Sequence, residues 1–181
     1  MTILRSPRLR HHPAVQKARA LSHSSDDPVG RPSLFRLRLA HPGLDLKALL
    51  FQTLDAVLWV SGQRVTRLRL QGSGDDTQGL LVLGDGCLCT LDLRARQPAA
   101  LAFELHGRRG LLQYDDMANP CIWLQLATEP PRNLMAWPEQ CQPGPEEAEA
   151  FPLQADVEKT WRAALASLAG GEVWQAAEVA G

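Results

Sequence analysis

The chain has 181 residues, 45% of them hydrophobic and 22% charged, with a formal net charge of −1. That length suffices for one domain with a real core, and the composition is that of a globular chain rather than a disordered or fibrous one. No apolar run reaches the ~18 residues of a membrane span, so a membrane partner is not expected.

The chain opens with a short strand-like stretch from Thr2 to Leu4, then an Arg-rich run from Arg5 to Arg10. HHPAVQKARA follows rather than an apolar stretch, so no secretory leader is expected and the cytoplasm is the expected compartment. Pro13 suits the first position of a helix running to about Ser22, because its fixed φ is helical and its missing N–H is not needed there. Ser24 to Pro32 is turn chemistry. Ser33 to Ala40 alternates, with Phe35, Leu37 and Leu39 on one face and Arg36 and Arg38 on the other, which predicts a half-buried strand.

Leu44 to Gly62 predicts an amphipathic helix with Asp45 as its cap and Gly62 as its stop. Its apolar stripe is Leu46, Leu50, Leu54, Val57 and Leu58, and another side carries Ala48, Gln52 and Asp55 one above another. From Val65 the period becomes two, with Arg67 and Arg69 opposing Leu68 and Leu70. Gly79–Leu83 and Cys87–Leu93 flank the turn Gly84-Asp85-Gly86, and Ala100–His106 and Leu111–Tyr114 flank Gly107 to Gly110. Cys121 to Ala127 predicts a further strand, and Pro130 to Pro152 a loop-rich insertion. A last helix, capped by Asp156, presents Val157, Trp161, Ala164, Leu165 and Leu168 and ends at Gly170-Gly171.

Tight turns join antiparallel strands, and only the early strand–helix–strand permits a parallel crossover. The predicted fold is therefore a single α+β domain over residues 1–181: a predominantly antiparallel, open-faced sheet with helices packed on one face. Arg36, Arg38, Arg67, Arg69, Thr90, Asp92 and Arg94 would line the open face.

The motifs exclude more chemistry than they supply. Through residue 70 the chain holds 12 Lys+Arg and 4 Asp+Glu, leaving 19 − 12 = 7 and 20 − 4 = 16 for the remainder. This basic half lacks the interleaved aromatic platforms of a nucleic-acid binder, so no nucleic-acid partner is expected. Cys87, Cys89, Cys121 and Cys141 form no C-x-x-C pair, and no two histidines stand four apart on a helix, so no metal site is expected. Cys87 and Cys89 share a strand face, which fits buried reduced thiols. No G-x-S-x-G elbow offers a nucleophile. Gly72-Ser73-Gly74 precedes a strand-like segment rather than the helix that a dinucleotide turn needs, and reads as a loop. Asp115-Asp116 reads as a turn rather than an acid/base pair.

Five stretches, in this order, carry a resemblance. RLRHHPAVQKARALSHSSDDPVGRPSLFRLRL is similar to a segment that begins R-x-x-P and continues through helix, turn and strand. LLFQTLDAVLWVSG is similar to an H-x-x-D helix ending in glycine. GLLVLGDGCLCTLDL and FELHGRRGLLQYDD are similar to two hairpins, and WRAALASLAGGEVW to a terminal helix. Together they resemble the C-terminal, substrate and oligomerisation domain of the Gfo/Idh/MocA oxidoreductase family.

The resemblance implies several things about function. In that family the domain follows a Rossmann domain that binds NAD(P) and carries an E-K-P lysine; neither is found in this sequence, so no cofactor is expected. The family's Asp and His that act on the reacting hydroxyl fall on Ala48 and Gln52, with Asp55 retained further along, so no catalytic set is expected. The leading expectation is a non-catalytic, stand-alone domain that self-associates as a homodimer or binds a related oxidoreductase chain through its open sheet face. Two alternatives stay open. One is the substrate-binding half of a split NAD(P)-dependent oxidoreductase; the other is a small-anion or carbohydrate-binding module using Arg36, Arg38, Arg67 and Arg69 on neighbouring strands.

Overall fold

A computed structural model describes residues 9–23, 29–117, 119–126, 128–134 and 154–176. A 3-10 turn, Leu9–His11, leads into helix α1, Pro13–His23, and then strand β1, Pro32–His41. Helix α2, Leu46–Ser61, follows, and then seven further strands: β2 Val65–Ser73, β3 Asp76–Leu83, β4 Leu88–Ala95, β5 Ala100–Gly107, β6 Gly110–Asp115, β7 Asn119–Leu126 and β8 Arg132–Asn133. Helix α3, Gln154–Gly170, and strand β9, Trp174–Gln175, complete the described elements. The predicted start at Thr2 to Leu4, most of the insertion and part of the turn before β1 lie outside the described residues, as do the side chains of Cys121 and Cys141. Among the described residues no helix is long and apolar enough to cross a membrane.

The strands make one sheet in the order β8-β7-β6-β5-β1-β4-β3-β2-β9. Every neighbouring pair is antiparallel except β1 with β4. The α+β, mostly antiparallel open sheet expected from the turns is thus the one observed. The crossover through α2 differs from the simplest expectation: β1 and β2 run the same way, but β4 and β3 lie between them. The two tight hairpins that follow β2 fold back into that gap, and β4 then pairs with β1 in parallel.

Alternation decides which side is buried. Phe35, Leu37, Leu68, Leu81, Cys89, Leu93, Leu105 and Leu112 all point to the helical side and are buried. Helix α2 lies on β1 and β4, with α1 and α3 against it. This central position overturns one expectation. The second half of α2 is not amphipathic: Thr53 through Val60 is buried all round, as befits a helix enclosed by neighbours on several sides.

Its ends behave as the sequence requires. The Asp45 carboxylate accepts from the Ala48 N–H at 2.8 Å, and Gly62 stops the helix at φ 64°, in the left-handed region where glycine is least strained. For α3 the expectation fails. Asp156 lies in the first turn rather than at the cap and pairs with Arg64 at 3.0 Å. Small edge strands β8 and β9 carry no alternation long enough to read, and they blunt the two edges of the sheet.

Candidate functional site

Two places can be built from the candidate residues. The first is the side of α2 that carries Ala48, Gln52 and Asp55. Ala48 and Gln52 are half-buried, near the helix start, and neither can exchange a proton near neutral pH. Asp55 is fully enclosed, and its carboxylate lies 3.4 Å from the Arg10 guanidinium, which is itself buried. Arg10 stands 5.8 Å from the Trp59 ring centre, and Arg19 lies over the same ring at 3.8 Å. Arg19 also donates to the Trp59 carbonyl, one of the last-turn acceptors that a helix leaves unmet. Arg10, Asp55, Trp59 and Arg19 therefore lock the 3-10 turn and α1 onto α2. Of the three aligned residues, the only carboxylate serves packing and faces no open space.

The sequence did not single out Arg10 as this partner. Nothing local pairs it with Asp55, which comes from another element; only the likeness to the R-x-x-P and x-x-D segments touched both residues.

The second place is the open sheet face. It carries Arg36, Arg38, Arg67, Arg69, Thr90, Asp92 and Arg94, all on the side away from the helices, as the alternation predicted. The four arginines do not, however, sit on neighbouring strands. β1 and β2 are three strand spacings apart, about 14 Å, so Arg36 and Arg38 cannot close on one small ligand with Arg67 and Arg69.

The β1 arginines also already have partners. Arg36 meets Glu104 of β5 at 3.3 Å, and Arg38 meets Asp92 of β4 at 3.2 Å, where Arg94 also binds. The Glu104 carboxylate also accepts from the Gln113 amide at 3.1 Å and lies 3.3 Å from the Nε2 of His106. Partial burial pushes its carboxyl up, but His106, Gln113 and Arg36 together outweigh this and hold it below the ordinary carboxylate range. Arg67 and Arg69 have no ion-pair partner among the described residues.

A shallow depression of about 650 Å³ opens on this face, lined by Arg36, Arg38, Asp92, Glu104, Gln113 and Trp123 among others. The sequence reading missed Glu104, Gln113 and Trp123. Glu104 had a legible signal, because it alternates with Phe103 and Leu105 on β5; Trp123 had none, since an aromatic in a strand reads as core. Asp115-Asp116 is the turn expected: Asp115 accepts from the Met117 N–H and Asp116 from the Leu101 N–H, each at 2.9 Å. Burial raises the Asp116 carboxyl above its ordinary value, against the opposing Leu101 N–H and with help from the Asp115 charge. Gly72-Ser73-Gly74 leads directly into β3, so no helix N-terminus follows it. Among the described residues no group of three or more His, Cys, Asp or Glu could hold a metal ion.

No family model and no curated protein sequence matches this chain. Solved structures do. An oxidoreductase domain protein from Kribbella flavida matches with a TM-score of 0.67 and 18% identity, over 93% of this chain and 64% of its own. A UDP-N-acetylglucosamine 3-dehydrogenase from Acidithiobacillus ferrooxidans matches with a TM-score of 0.68 and 14% identity, over 88% and 59%. A levoglucosan dehydrogenase in complex with NADH and L-sorbose gives 0.68 and 13%, over 94% and 64%.

The fold is that of the C-terminal domain of Gfo/Idh/MocA-type oxidoreductases. The chain spans about three fifths of the length of these structures. At such identities the likeness concerns the fold alone.

Proposed function

We propose that this oxidoreductase-type domain works by association through its open sheet face rather than by proton transfer. The observation that carries the reading is on α2, where Ala48 and Gln52 offer no acid or base and Asp55 is held by Arg10 inside the core. Proton transfer from the side of α2 that carries Ala48, Gln52 and Asp55 would need a titratable group facing open space there.

The open face supplies what association needs. Leu34 pairs with Leu88 across β1 and β4, Leu88 with Val82 across β4 and β3, and Leu80 lies two residues from Val82 on the same face. Leu80 is 48% and Leu88 44% exposed, a contiguous apolar patch that a folded monomer would leave in water. The partner is a second copy of the chain, for which such a patch is self-complementary about a twofold axis. Burying the exposed half of each leucine contributes about 1 kcal/mol, so the association is reversible rather than obligate.

Sedimentation equilibrium and light scattering test this. The unmodified chain is expected to approach a dimer as concentration rises, and Leu80→Glu/Leu88→Glu to remain a monomer with an unchanged melting transition. A strict monomer at every concentration would refute the reading.

A further inference from the structure

We infer that the second copy docks about a twofold axis running along β4, so that Arg69 of each chain closes on Glu104 of the other. The inference rests on the association reading above and deepens it, from a shared face to one orientation and one pair of specificity-determining residues.

The open face is laid out in rows across the strands. One row runs Arg69, Leu80, Thr90, Arg36, Glu104, each opposite the next on β2, β3, β4, β1 and β5. The row beside it runs Arg67, Val82, Leu88, Leu34, His106 on the same five strands. β4 is the middle strand of the five, with β2 and β5 each two strand spacings away, about 10 Å. The leucine patch therefore has a cationic strand on one flank and, at the same distance on the other, a strand that carries a carboxylate.

Both flanks have capacity for a further contact. Arg67 and Arg69 are exposed and have no ion-pair partner among the described residues. Glu104 meets Arg36, yet its side chain stays 35% exposed. Its two oxygens offer about four acceptor positions, and Arg36, Gln113 and His106 occupy three at most.

Charge selects among the twofolds that cover the leucines. Two sheets packed face to face place the axis in the plane between them, either across the strands or along them. An axis across the strands sets β2 on β2 of the partner and gathers four guanidinium groups. An axis midway between β3 and β4 sets β2 on β1, with Arg69 on the partner's Arg36. An axis along β3 sets Arg67 on Leu88 and Arg69 on Thr90, so both cations lose water without gaining a counter-ion. Midway between β4 and β1, it sets Leu80 on Glu104 and buries a carboxylate against a leucine.

An axis along β4 avoids all of these. It sets Leu88 on Leu88, Val82 on Leu34 and Arg69 on Glu104, the last two contacts being made twice. Leu80 then lies on the aliphatic stem of the partner's Arg36, whose charged head stays on Glu104. Stacked sheets lie about 10 Å apart, a gap that an arginine and a glutamate together span.

Reversing one charge at a time tests this by sedimentation equilibrium. Arg69→Glu alone and Glu104→Arg alone should each raise the dimer dissociation constant about tenfold or more, because the twofold repeats each like-charge contact. Mixed one to one, these two variants should combine with near-unmodified affinity, since the two replaced positions then face each other with opposite charge and the other contact is native. Lys159→Glu carries the same net charge as Arg69→Glu but on the exposed side of α3. It should self-associate as the unmodified chain does and take up Glu104→Arg more weakly. Circular dichroism should show each variant folded, and Arg69→Glu/Glu104→Gln, which relieves the repulsion without crowding Arg36, should associate better than Arg69→Glu. An unmodified chain that is monomeric at every concentration overturns the association reading and this inference with it. A dimer that Leu80→Glu/Leu88→Glu abolishes but Arg69→Glu does not weaken, or a mixture of the two charge variants that fails to combine, overturns this orientation alone.

Discussion

Replacing Asp55 by alanine is expected to be among the most destabilising single substitutions in this chain. Its carboxylate is fully enclosed and lies 3.4 Å from a guanidinium that is itself only 5% exposed. Removing one member of such a pair leaves the other charge buried without its counter-ion, which costs about 3–5 kcal/mol. A domain of this size has a total stability of about 5–15 kcal/mol, so about a fifth of it or more would be lost. The Trp59 ring beside Arg10 softens the loss only slightly, because a cation over an aromatic face contributes about 0.5–2 kcal/mol.

Urea unfolding followed by tryptophan fluorescence measures the loss as a lower midpoint with unchanged slope. The double replacement Arg10→Met/Asp55→Leu sharpens the test. It removes both charges while keeping the volume filled, and should recover most of the stability. A loss below about 1 kcal/mol for Asp55→Ala, or a double variant as unstable as the two single losses summed, would refute the buried-pair account.

Two further outcomes follow from the local geometry. Asp45→Ala removes the carboxylate that accepts from the Ala48 N–H, and should lower stability by about 1 kcal/mol in the same urea assay, while Asp45→Asn should restore most of it. His12 gives a pH dependence. Burial lowers its pKa from 6.5, so the unfolded chain binds the proton more readily than the folded one. Its contribution is therefore fully favourable above pH 6.5 and diminishes as pH falls below 6.5 toward the lowered folded value. Its ring nitrogen also accepts from the Ala14 N–H at 3.3 Å, a bond that protonation removes. The melting temperature of His12→Gln should fall less between pH 7 and pH 5.5 than that of the unmodified chain, with all other groups common to both.

Local signals in this chain are strong where one residue acts on its own neighbours. Pro13 at the start of α1, Asp45 and Gly62 at the ends of α2, and Gly84-Asp85-Gly86 between β3 and β4 each work within a few residues, and all could be read before the fold was known. The alternation of β1, β2 and β4 likewise fixed which side chains face the open side, because a strand's two faces are set by its own pleat. Asp156 shows the limit of this reasoning: a carboxylate near a helix start suits either a cap or a first-turn position, and the salt bridge to Arg64 belongs to tertiary contact.

The sequence by itself determined the α+β class, the antiparallel hairpins and the open face. These follow from periodicity, turn chemistry and residue type, which act over short distances along the chain. Only the tertiary structure decided that β4 and β3 separate β1 from β2, which divides the four arginines into two distant pairs. It alone joined Arg10 to Asp55 and assembled Arg36, Glu104, Gln113 and Trp123 into one row. Those partners come from different elements, and strand order is set by how the whole sheet closes over its core, which no local pattern encodes.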